Sequence, residues 1–239
     1  MNLTALFDSA DLLALAIFVG AWTTYALVLE RLSVTGHSLN RRMNEYREVW
    51  IRRILHREVR MMDMQIMMSL QNGNAFFAST SLIAIGGALT LLRSTDEALT
   101  VVKSLPLGLQ PSPNLWEMKA IGLTVILAYA FFKFSWSYRL FNYVAILLGG
   151  MPFAADRHSP EAEAHVMKST ALFQAAGRHF NRGQRAFFFA LGYLGWFLSP
   201  WLLIVTTLGI VTVLWRRQFH SDAFLAMSAG EQVTESAPK

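Results

Sequence analysis

The sequence predicts an all-α, polytopic membrane protein: four transmembrane helices with helical extensions on the cytoplasmic side. Three observations predict it. Residues 186–215, AFFFALGYLGWFLSPWLLIVTTLGIVTVLW, carry no charged side chain. About 20 such residues, rising roughly 1.5 Å each as a helix, cross the hydrocarbon of a bilayer. Hydrophobic residues make up 54% of the 239 and the mean hydropathy is +0.35, which suits a single membrane domain over residues 1–220. Basic residues, finally, crowd into two of the connecting segments and avoid the others, the asymmetry expected of membrane spans.

The first span is expected at about 12–29, the second at about 75–92, and the third at about 115–135 with an extension to about 149. The fourth is expected over 186–215 as one helix kinked at Pro200, where proline removes a backbone donor. Between spans one and two stand Arg31, Arg41, Arg42, Arg47, Arg52, Arg53, Arg57 and Arg60, and residues 150–185 add Arg157, Lys168, Arg178, Arg182 and Arg185. Both segments are therefore expected in the cytoplasm of a bacterial inner membrane, with both termini outside. Arg216 and Arg217 fall on the wrong side in this arrangement. A hairpin at Pro200 would return them, but its charge-free arms of about 14 residues are too short to span.

The cytoplasmic segments have helical patterning. Met43, Tyr46, Trp50, Ile54, Met61, Met64 and Met68 recur mostly three or four apart, predicting one amphipathic helix over about 40–71. Ser159-Pro160-Glu161 is a helix start, with a hydroxyl cap, proline at the first position and acid in the first turn. That helix is expected over about 160–176, with Gly177 as a break. The apolar run Leu140, Phe141, Tyr143, Val144, Ile146 and Leu147 lies beyond the bilayer, so the two cytoplasmic helices are expected to cover it. Residues 221–239 are polar and patternless, the composition of a disordered tail.

Several function classes are excluded or weakened. The chain has no cysteine, which removes disulfides, thiolate metal sites and cysteine nucleophiles. The net charge of +5 fits contact with anionic headgroups rather than nucleic acid, because the arginines flank membrane spans. The start MNLTALFDSAD has no positive region and does not read as a cleaved secretory signal. There is no Walker loop, no GxSxG elbow and no pair of intramembrane acids, so no enzyme is expected and no cofactor is implied.

Several long motifs resemble a known family. They are NAFFASTSL from Asn74, FKFSWSYRLFNYVAILLGGMP from Phe132 to Pro152, AGRHFNRGQRAFFFAL from Ala176 to Leu191, and WRRQF from Trp215. Together they resemble the bacterial integral-membrane family catalogued as domain-of-unknown-function 599, over nearly the whole chain. The resemblance implies a multi-span membrane protein and supplies no catalytic or binding residues.

The candidate functional residues come from charge and spacing. Lys119 and Lys133 are 14 residues apart, within about 40° on one helix, with Gly122, Ile126, Ala130 and Ser137 along the same stripe. Such a stripe lines an anion path or, more simply, its lysines snorkel to headgroups. Arg139, on another face, suits a lipid phosphate or a carboxylate. Asn72, Ser79, Gly86 and Thr90 on span two, and Gly192, Ser199 and Thr206 on span four, form small-residue stripes suited to close helix packing or to a pore lining.

Met61, Met62, Met64, Met67 and Met68 offer soft thioethers for Cu(I), but methionine also fills gaps between helices and no cysteine stands nearby. His37, His56, His158, His165, His179 and His220 include no pair four residues apart, so no metal site is assigned. Two function classes follow. One is a self-associated, channel-like protein for small ions, biased toward anions. The other is a non-catalytic scaffold or accessory subunit that binds a membrane protein partner or anionic lipid.

Overall fold

The computed structural model describes residues 7–35, 38–104 and 112–227. Its described residues form seven α-helices of ten residues or more, a short helical stretch at 222–227, and no strand. These are α1 (Ser9–Thr35), α2 (Leu39–Leu55), α3 (Met61–Arg93), α4 (Thr95–Ser104), α5 (Pro113–Gly149), α6 (Pro160–Tyr193) and α7 (Pro200–Phe219). Four of the helical segments are long and apolar enough to cross a membrane: Ser9–Arg31, Met61–Arg93, Pro113–Gly149 and Pro200–Met227.

Serine and proline start three of the helices in the same way. Ser112, Ser159 and Ser199 each use Oγ to accept a backbone N–H of the first turn, from Leu115, Ala162 and Trp201. The proline that follows each has no donor to leave unsatisfied. At Ser38, which caps α2, the acceptor role is the same without proline.

The chain divides into two compact units. The first takes its described residues from Met1–Val28, Ala78–Phe132 and Gly183–Leu214, the second from Leu29–Phe77, Lys133–Arg182 and Trp215–Lys239. In the first unit, Phe18 meets the edges of Phe189 and Tyr193, with ring centres 5.6 and 5.4 Å away, and Trp22 stacks on Phe189 at 5.3 Å. Small residues let these helices close. A Cβ on Gly122 would collide with Tyr193 Oη, and Ala14, Ala120, Ala130 and Ala186 are fully buried.

In the second unit a continuous core joins Ile51 and Ile54 of α2, Met67 of α3, Leu140, Phe141, Val144 and Leu148 of α5, and Val166 and Phe173 of α6. The apolar end of α5 is thus covered by α2 and α6. Large side chains of this kind each contribute about 1.5–3 kcal/mol when taken out of water.

The structure departs from the sequence-based expectations at four places. The helix expected over 40–71 is two, because the chain turns at 56–60. No glycine or proline marks that turn; side chains hold it. Asp63, 1% exposed, accepts from Trp50 Nε1 at 2.7 Å and from Arg57. Arg60 donates to the carbonyls of Met151 and Pro152 at 2.8 and 2.6 Å. At Gly177 the helix does not break but runs on to Tyr193.

The third departure is the helix expected over 186–215. It is interrupted: α6 ends at Tyr193, a 3-10 turn covers Leu194–Phe197, and α7 starts at Pro200. The two helices pack on one another. Thr206 Oγ1 donates to the carbonyl of Gly192 at 2.8 Å, and a Cβ on Gly192 would meet Ile210 Cδ1. The arms of this hairpin exceed the charge-free stretch because α6 continues back through Arg185 and Arg182, and α7 forward through Arg216 and Arg217. Arg185 is buried and Arg182 pairs with Glu30 at 2.8 Å.

The fourth departure concerns the tail expected over 221–239. Residues 222–227 are helical, Phe224 lies under the Arg42 guanidinium at 5.5 Å, and Arg42 Nη1 donates to the carbonyl of Met227 at 2.9 Å. The remainder, 228–239, lies outside the described residues. Residues on α2, expected inside, therefore touch a segment expected outside, and the two expectations are incompatible.

Candidate functional site

Lys119 lies in the first turns of α5 and is only 5% exposed. Its Nζ donates to the carbonyl oxygen of Trp196 at 2.8 Å and stands 3.8 Å from Asp11 Oδ1. Trp196 Nε1 donates to that same carboxylate oxygen at 2.6 Å, and the ammonium sits 5.1 Å from the centre of the Trp196 ring. Asp11 is 4% exposed. The α6–α7 turn is therefore pinned to the starts of α1 and α5 by one carboxylate and one ammonium. A cation held in this way is a structural tie, since its charge is already answered.

The other residues expected on the Lys119 stripe are also closed in. Ile126 and Ala130 are buried, and Ser137 Oγ donates to the carbonyl of Ala176 at 2.8 Å. Lys133 belongs to the second unit and is half-buried. Arg139 is exposed; its Nε donates to Tyr143 Oη at 2.6 Å and its guanidinium lies 5.9 Å from the Trp136 ring centre.

The two small-residue stripes have different fates. Gly192, Ser199 and Thr206 do not share one helix face: Gly192 and Thr206 close the α6–α7 hairpin and Ser199 caps α7. An open apolar groove of about 330 Å³, lined by Leu191, Gly209 and Val213 among others, runs beside that contact. Asn72, Ser79, Gly86 and Thr90 of α3 all remain exposed. A Cβ at Gly86, or at its neighbour Gly87, would meet nothing within 4 Å. Met61, Met62 and Met68 are exposed near the start of the same helix, whereas Met67 is fully buried in the core.

A third arrangement was not legible from charge counts. Arg47 of α2 lays its guanidinium flat on α6 at Gly177, where a Cβ would stand 2.7 Å from Cζ and 2.8 Å from each Nη. The same group lies 5.4 Å from the centre of the Phe173 ring and donates to Asn44 Oδ1 at 2.6 Å. Burial first, and the nearby Arg178 second, hold the Arg47 guanidinium below its ordinary range, although arginine stays protonated. Arg178 is itself exposed.

Next to it, His179 meets the Trp136 ring edge-on, and its buried Nδ1 has no hydrogen-bond partner. Burial, then the charges of Lys133, Arg182 and Arg178, push the His179 imidazole below its usual range. The available signal was Gly177, a glycine inside a strong helical pattern. Such a glycine marks a close approach as readily as a break.

A family model described as "Protein of unknown function, DUF599" matches residues 13–223, a range that runs from within α1 past the end of α7. The chain belongs to that family. No curated protein and no solved structure matches it. In this DUF599 chain the matched range takes in all three arrangements except Asp11, which stands two residues before it.

Proposed function

We propose that this chain is a non-catalytic membrane scaffold that associates with itself through α3. One observation carries the reading. The apolar window of α3 is only 11% buried within the chain, and its outward stripe of Asn72, Ser79, Gly86 and Thr90 is small and partly polar. In lipid, where apolar side chains gain nothing by leaving hydrocarbon, helices associate through small residues that let backbones approach and through shared hydrogen bonds. The exposed methionines at the start of α3 suit an adaptable contact with a partner protein.

In the same reading the membrane is the bacterial inner membrane. Its cytoplasmic side holds α2, the first half of α6 and the C-terminal stretch, and the N-terminus lies outside. The Arg42–Met227 contact and the arginines at 216 and 217 support this orientation. The end of α6 then makes a further pass beside the four long apolar helices, because Trp196 sits with the starts of α1 and α5.

A second reading keeps transport: several copies enclose a narrow, anion-biased ion path lined by the polar members of the α3 stripe. The closed tie at Lys119 favours the scaffold, because it removes the cation best placed to select anions.

Single cysteines test the association, since the chain has none of its own. Ser79→Cys and Gly86→Cys are expected to crosslink to dimers in native membranes, while Val125→Cys on α5, also exposed, is not. Equal crosslinking at all three positions would refute an α3 interface. Conductance in reconstituted bilayers from crosslinked assemblies would favour the second reading over the first.

A further inference from the structure

We propose that Arg47, seated on Gly177 of α6, and the neighbouring Arg178 form a phosphate-binding site. The site does not depend on self-association. Its first support is an unanswered charge. Arg47 offers five N–H donors, and among the described residues its only hydrogen bond runs to Asn44 Oδ1. Arg178 makes no hydrogen bond or ion pair among those residues. The nearby carboxylates are engaged elsewhere: Glu45 with Arg41, Glu48 with Arg52, and Glu30 with Arg182. A half-buried guanidinium without a carboxylate is costly unless another anion answers it.

The second support is that the arginine is positioned rather than loose. Gly177 removes the one atom that would displace it, and the Phe173 ring backs it at 5.4 Å. A planar fork held in this way presents paired N–H groups, the geometry that phosphate oxygens accept two at a time. A tetrahedral phosphate suits it better than a halide, which has no such pair of acceptors. The phosphate has two sources with the same chemistry: a phospholipid headgroup, or free phosphate in the cytosol.

The full-length protein in nanodiscs tests this by thermal unfolding. One arm titrates inorganic phosphate into discs of a phosphate-free glycolipid at constant ionic strength, with potassium chloride as the control. The other compares those discs with discs containing phosphatidylglycerol, without free phosphate. Two variants accompany the wild type. Arg178→Gln removes an exposed charge without disturbing the core. Gly177→Ala keeps every charge but pushes the Arg47 guanidinium off its seat.

In the wild type a saturable rise in melting temperature is expected in at least one arm. Each variant should weaken it by about tenfold or more, the scale of one charge-assisted hydrogen bond. A rise with inorganic phosphate identifies a soluble ligand; a rise confined to phosphatidylglycerol discs identifies a headgroup. No rise in either arm, an equal rise with chloride, or variants that respond like the wild type would overturn the proposal.

Discussion

The Lys119 ammonium donates to the carbonyl oxygen of Trp196 across 2.8 Å, and so joins the first turns of α5 to the turn between α6 and α7. The Asp11 carboxylate accepts from the Trp196 indole and faces the same ammonium. Replacing one partner strands the other, which costs about 3–5 kcal/mol for a buried pair. Lys119→Met is therefore expected to destabilise strongly, and Asp11→Asn with Lys119→Met clearly less. Thermal unfolding of the single and double variants in detergent checks this. Equal losses in both would show that the charges do not act as a pair.

The α6–α7 hairpin predicts a difference between two glycines. At Gly192 an added Cβ meets Ile210 Cδ1, the movable end of a side chain. At Gly195 it meets the backbone carbon and oxygen of Leu202 at 3.2 Å, which cannot turn aside. Overpacking of this kind costs about 1–3 kcal/mol. Gly195→Ala is expected near the top of that range and Gly192→Ala near the bottom or below it, as read from unfolding midpoints.

Asp63 predicts the strength of the α2–α3 turn. Its loss leaves Trp50 Nε1 and the Arg57 guanidinium without their acceptor. Asp63→Ala should destabilise by about 2–3 kcal/mol, in keeping with hydrogen bonds to a charged group. Asp63→Asn, which keeps an acceptor oxygen, should lose less. Chemical unfolding curves separate the three proteins.

Protonation of His179 predicts a pH dependence. Its imidazole in the folded chain lies below the ordinary value of 6.5, first through burial and then through Lys133, Arg182 and Arg178. The unfolded chain therefore binds this proton more readily. The stability His179 contributes is full above about pH 6.5 and is lost as pH falls through that value and then through the lower folded one. His179→Gln should flatten this part of the slope. The difference between wild type and variant, followed from about pH 8 to pH 5, is the measurement; a constant difference would contradict it.

Orientation predicts a labelling pattern. Cysteines introduced at Glu45 and Ser221 should react with an impermeant maleimide only after cells are opened, and one at Thr100 of α4 should react in intact cells. Labelling of Glu45→Cys and Ser221→Cys from opposite sides would be incompatible with the Arg42–Met227 contact.

The sequence made the helical class legible because charge and apolar length report directly on the solvent around a helix. The Ser159-Pro160 start was readable from the same rule that operates at Ser199-Pro200. There it was overridden by the uninterrupted apolar run on both sides, which hides a turn whose own residues Gly195, Trp196 and Phe197 are as apolar and buried as those of a helix. Hairpin length was misjudged because its arms were counted only to the ends of the charge-free stretch, whereas α6 continues through Arg182 and Arg185, which are absorbed by a carboxylate and by burial. The α2–α3 turn has no glycine or proline to announce it; its cause is the meeting of Asp63 with Trp50 and Arg57 across the turn and of Arg60 with the distant carbonyls of Met151 and Pro152. The site at Arg47 was hidden for the same reason, since a glycine cannot say which side chain will use its empty space.

The partners at Asp11 and Trp196 stand 185 positions apart in the chain. A ribosome delivers the acid near the beginning of synthesis and the indole near its end. Through that interval Asp11 and Lys119 have only one another and water as partners, because the indole and the carbonyl of residue 196 are still missing. Assembly of the first unit must therefore finish last at its rim, and a product truncated before residue 196 would keep an unsealed edge for proteolytic quality control to find.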